Sequence, residues 1–165
     1  MLFVPTGEAA HKRIDPEPGS EVRLEMARSA LAGDERFRVS DVEIRRTGAS
    51  YVYETLEQLE EELDQEELVL VIGADQAAAF SGWRAPERIA ELARIGVATR
   101  PGTDAEAVDA GLRRAGVTER AQRFDIPAID VSSTMVRERV GMGLPVRYLV
   151  PDGVADLIED QGLYR

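Results

Sequence analysis

Leu68-Val69-Leu70-Val71-Ile72, five apolar residues running straight into Gly73-Ala74-Asp75, constrain this chain more than any other stretch. An unbroken apolar run of that length, rich in branched side chains, suits a strand buried on both faces, the setting of a parallel sheet covered by helices. Open parallel sheets bind ligands at the carboxyl ends of their strands. Gly73 and Asp75 therefore become candidate ligand contacts.

The rest of the chain alternates strand and helix patterns around that run. Leu2-Phe3-Val4 reads as a short buried strand entering the Pro5-Thr6-Gly7 loop, and Pro16-Glu17-Pro18-Gly19 as a proline-rich loop. Ser20 is placed to cap a helix bearing Val22, Leu24, Met26, Ala27 and Leu31, which Gly33 ends. The period-two pattern of Phe37 through Ile44 predicts a strand with one wetter face. A turn at Gly48-Ala49 leads into a helix expected from Ser50 to about Asp64, with Leu56, Leu59 and Leu63 at helical spacing. Its glutamates, Glu57 and Glu60 to Glu62, read as a solvated face. After Trp83 come a helix from about Ala85 to Ala93, a strand Ile95 to Thr99 ending in Arg100-Pro101-Gly102, and a helix across the early 110s. A strand near Phe124-Asp125-Ile126 and a final helix from Pro151 through Ile158 follow. With no repeat and no linker, this alternation predicts a single domain over residues 1–165, built on one doubly wound parallel α/β sheet.

Composition narrows the function. The 165 residues are 44% hydrophobic but only 5% aromatic, with no apolar run of a membrane-spanning length (about 18 residues) and no signal-like N-terminus. The cytoplasm is the expected compartment, and no membrane partner is expected. A net charge of -11 argues against a nucleic-acid surface, which needs a basic face to displace counterions. The absence of cysteine removes thiolate chemistry, and one histidine cannot form a histidine-rich metal site. That histidine, His11, stands beside the sole lysine, Lys12, which leaves chance adjacency and a chemical requirement both open.

Val131-Ser132-Ser133-Thr134-Met135-Val136-Arg137 is the densest chemistry in the chain. A serine ahead of an apolar-periodic run predicts a capped helix start, whose first-turn amides carry a partial positive charge. If Ser132 or Ser133 is the cap, Arg137 lies about one turn in, and hydroxyl, amides and guanidinium can converge on one anion. An ordinary capped helix with a surface arginine fits the same residues.

Pro5 through Lys12, Ser50-Tyr51 through Thr55-Leu56, Ile72-Gly73-Ala74-Asp75, Trp83, Arg100-Pro101-Gly102, Ser132-Ser133-Thr134 with Arg137, and Leu163-Tyr164 together resemble bacterial nicotinate-nucleotide adenylyltransferases. The resemblance runs in order over nearly all of the chain. It implies a Rossmann-like fold of the nucleotidyltransferase superfamily, with adenylate passing from ATP to nicotinate mononucleotide and Mg2+ arriving bound to ATP. It further implies that His11 and Lys12 contact phosphate and that Ser132, Ser133, Arg137 and Arg100 serve ATP. Gly73 and Asp75 would approach a nucleotide ribose. Trp83 would stack on the nicotinate ring, whose carboxylate the amides of Tyr51 and Val52 would receive.

The chain departs from the family pattern at Ala9-Ala10, where the family has Pro-Pro, and at Val52, where it has threonine. The family's His-x-Gly-His is absent from the 165 residues, and no catalytic residue is assigned. By that resemblance the first strand and helix are expected to be missing, through truncation or a misplaced start, and the chain alone is expected to make little dinucleotide. A nucleotide-binding fragment without catalysis, and an adenylyltransferase for nicotinamide mononucleotide or pantetheine phosphate, are the competing readings. The oligomeric state is left open.

Overall fold

The structure, a computed structural model, describes residues 1–9, 18–63 and 67–165. In chain order its elements are β1 (Leu2–Phe3), β2 (Glu8–Ala9), α1 (Ser20–Leu31), β3 (Arg38–Val39), α2 (Val42–Arg45), β4 (Ala49–Ser50), α3 (Val52–Glu62) and β5 (Leu68–Gly73). They continue with α4 (Ala74–Ala78), α5 (Pro86–Leu92), β6 (Ala93–Thr99), α6 (Ala105–Arg114), β7 (Ala121–Asp125), α7 (Ser133–Gly141) and α8 (Asp152–Asp160). The expected parallel α/β architecture forms. Its strands pair in three parallel sets, β1 with β3, β2 with β4, and β5-β6-β7 in that order.

Two compact units divide the chain, one of residues 1–50 with 130–165 and the other of residues 51–129. In the second, register sets Leu70 beside Ile95 and Ile72 beside Val97. These side chains share a face and bury against Leu56 of α3, Ile89 of α5, and Val108 and Leu112 of α6. Helices α4 and α6 cross closely at Gly111, where a Cβ would overlap the carbonyl oxygens of Ala77 and Ala78. Only glycine permits that approach.

The apolar run Leu68 to Ile72, expected to be covered on both faces, is buried on one face only. Val69 and Val71 project to the opposite face, as period two demands, and are 56% and 46% exposed, with Phe124 of β7 also open on that face.

In the unit of residues 1–50 and 130–165, α1 packs against α8, and Val136, Val146, Ala155 and Ile158 form a core with Met26 and Leu163 against it. Two expectations are corrected here. Gly19 (φ 81°), not Ser20, occupies the N-cap of α1, and Ser20 is its first helical residue. The strand expected over Phe37 to Ile44 is only Arg38–Val39. Ser40 Oγ accepts from the Val42 amide (3.3 Å), and the Asp41 carbonyl accepts from the amides of Ile44 and Arg45 (2.9 and 3.0 Å), so the chain turns into α2. Local side-chain bonding of this kind competes with strand pairing. The Arg45–Asp41 ion pair (3.1 Å) spans the same turn.

Candidate functional site

Strand ends build the first cluster. Gly73 closes β5 and Ala74 opens α4 with no loop between, while the next strand ends at Thr99 and turns through Arg100. Register places Gly73 beside Ala98, so both strand ends deliver their following residues to one edge. An open cleft of about 720 Å³ lies there, lined by Gly73, Asp75, Arg100, Gly102, Asp104 and Ile126 among others. Three of the residues expected from sequence thus meet in one cleft. A Cβ at Gly73 would come within 2.8 Å of Asp75 Oδ1, so glycine at that position leaves the exposed carboxylate its place above the strand end. The Arg100 turn is closed by two bonds, Thr103 N–H to Arg100 O (3.0 Å) and Arg100 N–H to Thr103 Oγ1 (3.1 Å), with Gly102 at φ 87°. Asp104 accepts from the Ala107 amide (3.0 Å) and caps α6. Thr103 and Asp104 escape the sequence reading, although an Asp ahead of Ala-Glu-Ala is a readable cap signal.

A second cluster surrounds the start of α3. Ser50, expected to begin that helix, lies in β4, and Tyr51 takes the N-cap position with extended backbone (φ -115°, ψ 135°). The first helical bond runs from the Thr55 amide to Tyr51 O, so Val52 to Glu54 contribute first-turn amides without a helical acceptor. The Arg84 guanidinium lies 5.0 Å over the Tyr51 ring. Trp83 is half-buried, its ring 5.0 Å from that of Phe80 and tilted 39° to it, and packs against the core. The Tyr53 hydroxyl donates to Glu54 Oε1 (2.8 Å), and that bond, with burial and the Glu54 charge, holds the phenol above its ordinary pKa against the opposing pull of Arg84. Arg84 is a cation that the sequence reading passes over, despite its position directly after Trp83.

The third cluster is the start of α7. Ser132 is the N-cap (φ -120°, ψ 154°), its Oγ accepting from the Met135 amide at 3.1 Å. The first helical bond joins the Val136 amide to Ser132 O, which leaves the amides of Ser133 and Thr134 ahead of the helical ladder. Ser132, Ser133 and Thr134 are exposed. Arg137 lies one turn in and donates to Thr134 Oγ1 (3.2 Å), so its guanidinium stays on the side of the helix start. His11 and Lys12 lie outside the described residues.

Among the described residues, no group of three or more His, Cys, Asp or Glu could hold a metal ion, and no helix is long and apolar enough to cross a membrane.

Residues 1–139 match the family model described as cytidylyltransferase-like. A probable nicotinate-nucleotide adenylyltransferase of Tropheryma whipplei (strain TW08/27) is 38% identical over 165 residues, covering 100% of this chain and 83% of that protein. A protein of the same name from Roseiflexus sp. (strain RS-1) is 41% identical, covering 100% of this chain and 82% of its own. Among solved structures, a Plasmodium falciparum nicotinic acid mononucleotide adenylyltransferase complexed with NaAD superposes with a TM-score of 0.75 at 14% identity, over 99% of this chain and 81% of that one. The last likeness is one of fold.

Proposed function

The chain belongs to the nicotinate-nucleotide adenylyltransferases of the cytidylyltransferase-like family, and from that premise we propose how its residues divide the work of adenylyl transfer in NAD biosynthesis. In this reaction a phosphate oxygen of nicotinate mononucleotide attacks the α-phosphorus of ATP. The new P–O bond forms as the bond to the bridging oxygen breaks, and pyrophosphate leaves with the electron pair. No protein nucleophile is required; the protein aligns two polyanions and stabilises the charge on the reacting phosphate.

Asp75 above the end of β5 accepts hydrogen bonds from ribose hydroxyls of ATP, and Gly73 lets the nucleotide approach the backbone. Arg100, Ser132, Ser133 and Arg137 serve the ATP phosphates, the exposed hydroxyls and first-turn amides of α7 supplying donors that need no rearrangement. His11 and Lys12 take the mononucleotide phosphate. The amides at the start of α3, with Tyr51 and Val52, receive the nicotinate carboxylate, and Trp83 offers its ring face. A divalent cation, Mg2+, enters as part of the ATP substrate and neutralises phosphate charge. The cytoplasm suits these metabolites.

The observation that carries this reading is the shared cleft of Gly73, Asp75 and Arg100 at adjacent parallel strand ends. Calorimetry tests it: ATP and nicotinate mononucleotide are each expected to bind, and R137A to weaken ATP by about tenfold, the scale of one charge-assisted hydrogen bond. Absence of binding by either nucleotide would remove the assignment.

A further inference from the structure

Arg84 stands beside the start of α3 with its charge unneutralised: among the described residues it forms no ion pair, whereas Arg88 of α5 is shared between Glu57 (2.9 Å) and Glu91 (3.1 Å). The Arg84 guanidinium instead lies 5.0 Å over the Tyr51 ring, which itself stacks with Tyr53 at 6.2 Å between centroids. A ring face attracts a cation without cancelling its charge. The Glu54 carboxylate accepts from the Tyr53 hydroxyl (2.8 Å), and the Arg84 charge opposes Glu54 at that phenol. The backbone fixes Arg84 from both sides. Trp83 before it donates its amide to Phe80 O (3.0 Å) and sets its ring against Phe80. Ala85 after it takes left-handed backbone (φ 51°, ψ 56°) as the N-cap of α5, ahead of Pro86. A residue with a Cβ seldom adopts that conformation, and such strain persists where surrounding contacts over-determine it, as at ligand clamps. The Arg88–Glu57 pair then ties α5 to α3, so the Trp83–Arg84 corner and the first turn of α3 are held together.

We infer that Arg84 is a specificity-determining residue for the mononucleotide: its guanidinium, seated over Tyr51 at the start of α3, favours a ligand ring that carries a carboxylate over one that carries a carboxamide. The inference rests on the reading that places the nicotinate carboxylate at that helix start. The amides of Val52 to Glu54 donate to a carboxylate oxygen and to a carboxamide oxygen alike, so they separate the two ligands weakly. A fixed cation separates them by charge. The need for one is local, because α3 carries Glu54, Glu57, Glu60, Glu61 and Glu62, whose summed field disfavours an anionic ligand. Arg84 offsets that field where the carboxylate would sit.

The experiment titrates the unaltered chain, R84A, R84Q and R84K by calorimetry with nicotinate mononucleotide, nicotinamide mononucleotide and ATP separately, with thermal midpoints alongside. R84A and R84Q are each expected to weaken the acid by about three- to tenfold, between the scale of an exposed ion pair and that of a charge-assisted hydrogen bond. The amide and ATP are expected to stay within about twofold, with the midpoints unchanged. R84K is expected to recover part of the loss, since it restores the charge but not the planar stack on Tyr51. Parallel losses for acid and amide would show a merely structural role and overturn the inference, as would an unchanged acid-to-amide ratio or full recovery of acid binding in R84Q. If the unaltered chain binds the two mononucleotides equally, the inference falls while the site assignment stands. If it binds neither, the site assignment fails and the inference falls with it.

Discussion

Ser132 and Ser133 are adjacent, exposed and chemically alike, yet the backbone gives them different tasks. Ser132 holds extended dihedrals at the N-cap and accepts from the Met135 amide, whereas Ser133 is already helical. S132A is therefore expected to cost about 1 kcal/mol of stability through loss of the cap. S133A should stay within about 0.5 kcal/mol, as surface substitutions usually do, while weakening ATP. Urea denaturation and calorimetry on the two variants separate these effects, and a larger stability loss in S133A would reverse the assignment. The sequence identifies the pair but not its division of labour, because either serine satisfies the cap rule. Gly111 is invisible to such reading for a related reason. Alanine is locally the better helix residue by about 1 kcal/mol, but the Ala77 and Ala78 carbonyls occupy the space a Cβ needs. G111A is accordingly expected to be a net loss, overpacking costing about 1–3 kcal/mol or more, and a stabilised G111A in thermal melts would contradict the close crossing of α4 and α6.

At the scale of elements, legibility depended on how long a pattern ran before local bonding could compete with it. The five-residue apolar run of β5 and the amphipathic α3 formed where their periodicity placed them, with Leu56 and Leu59 buried. Phe37 to Ile44 alternates over too few residues to exclude a helical turn, and Ser40 and Asp41 supplied one. A uniformly apolar run also carries no label for which face is covered. That information lies in the partners, since Ile95 of β6 is wholly buried while Val71 of β5 is 46% exposed. Substitutions should report the difference: I95A is expected to cost about 2–5 kcal/mol as a buried truncation, and V71T within about 0.5–1 kcal/mol. Denaturant midpoints at constant m-value read both, and equal losses would mean that the outer face of β5 is as buried in solution as the inner. The elements that carry the candidate site follow the same logic. The α7 start was readable from a cap signal, whereas the Arg84 guanidinium meets the Tyr51 ring from a distant part of the chain and no local pattern announces that contact.

For the whole molecule, charge sets how an anionic substrate is captured. With 31 acidic against 20 basic residues, the net charge of -11 repels ATP at long range, so the proposed ATP assignment relies on short-range donors such as Ser133, Arg137 and Arg100. Salt acts differently on the two ranges. The Debye length shrinks from about 30 Å at 0.01 M to about 8 Å at 0.15 M, which screens the distant repulsion more than contacts made at hydrogen-bond distance. The association rate of ATP with this chain is therefore expected to rise, or at least not fall, over that salt range, while the dissociation rate rises. A basic nucleotide-binding surface would show the opposite sign in association. Stopped-flow binding of a fluorescent ATP analogue at constant free Mg2+ measures both rates. Association that falls steeply with added salt would mean that local positive charge at the ATP-binding donors outweighs the acidic remainder of the protein, and that capture is steered rather than made at contact.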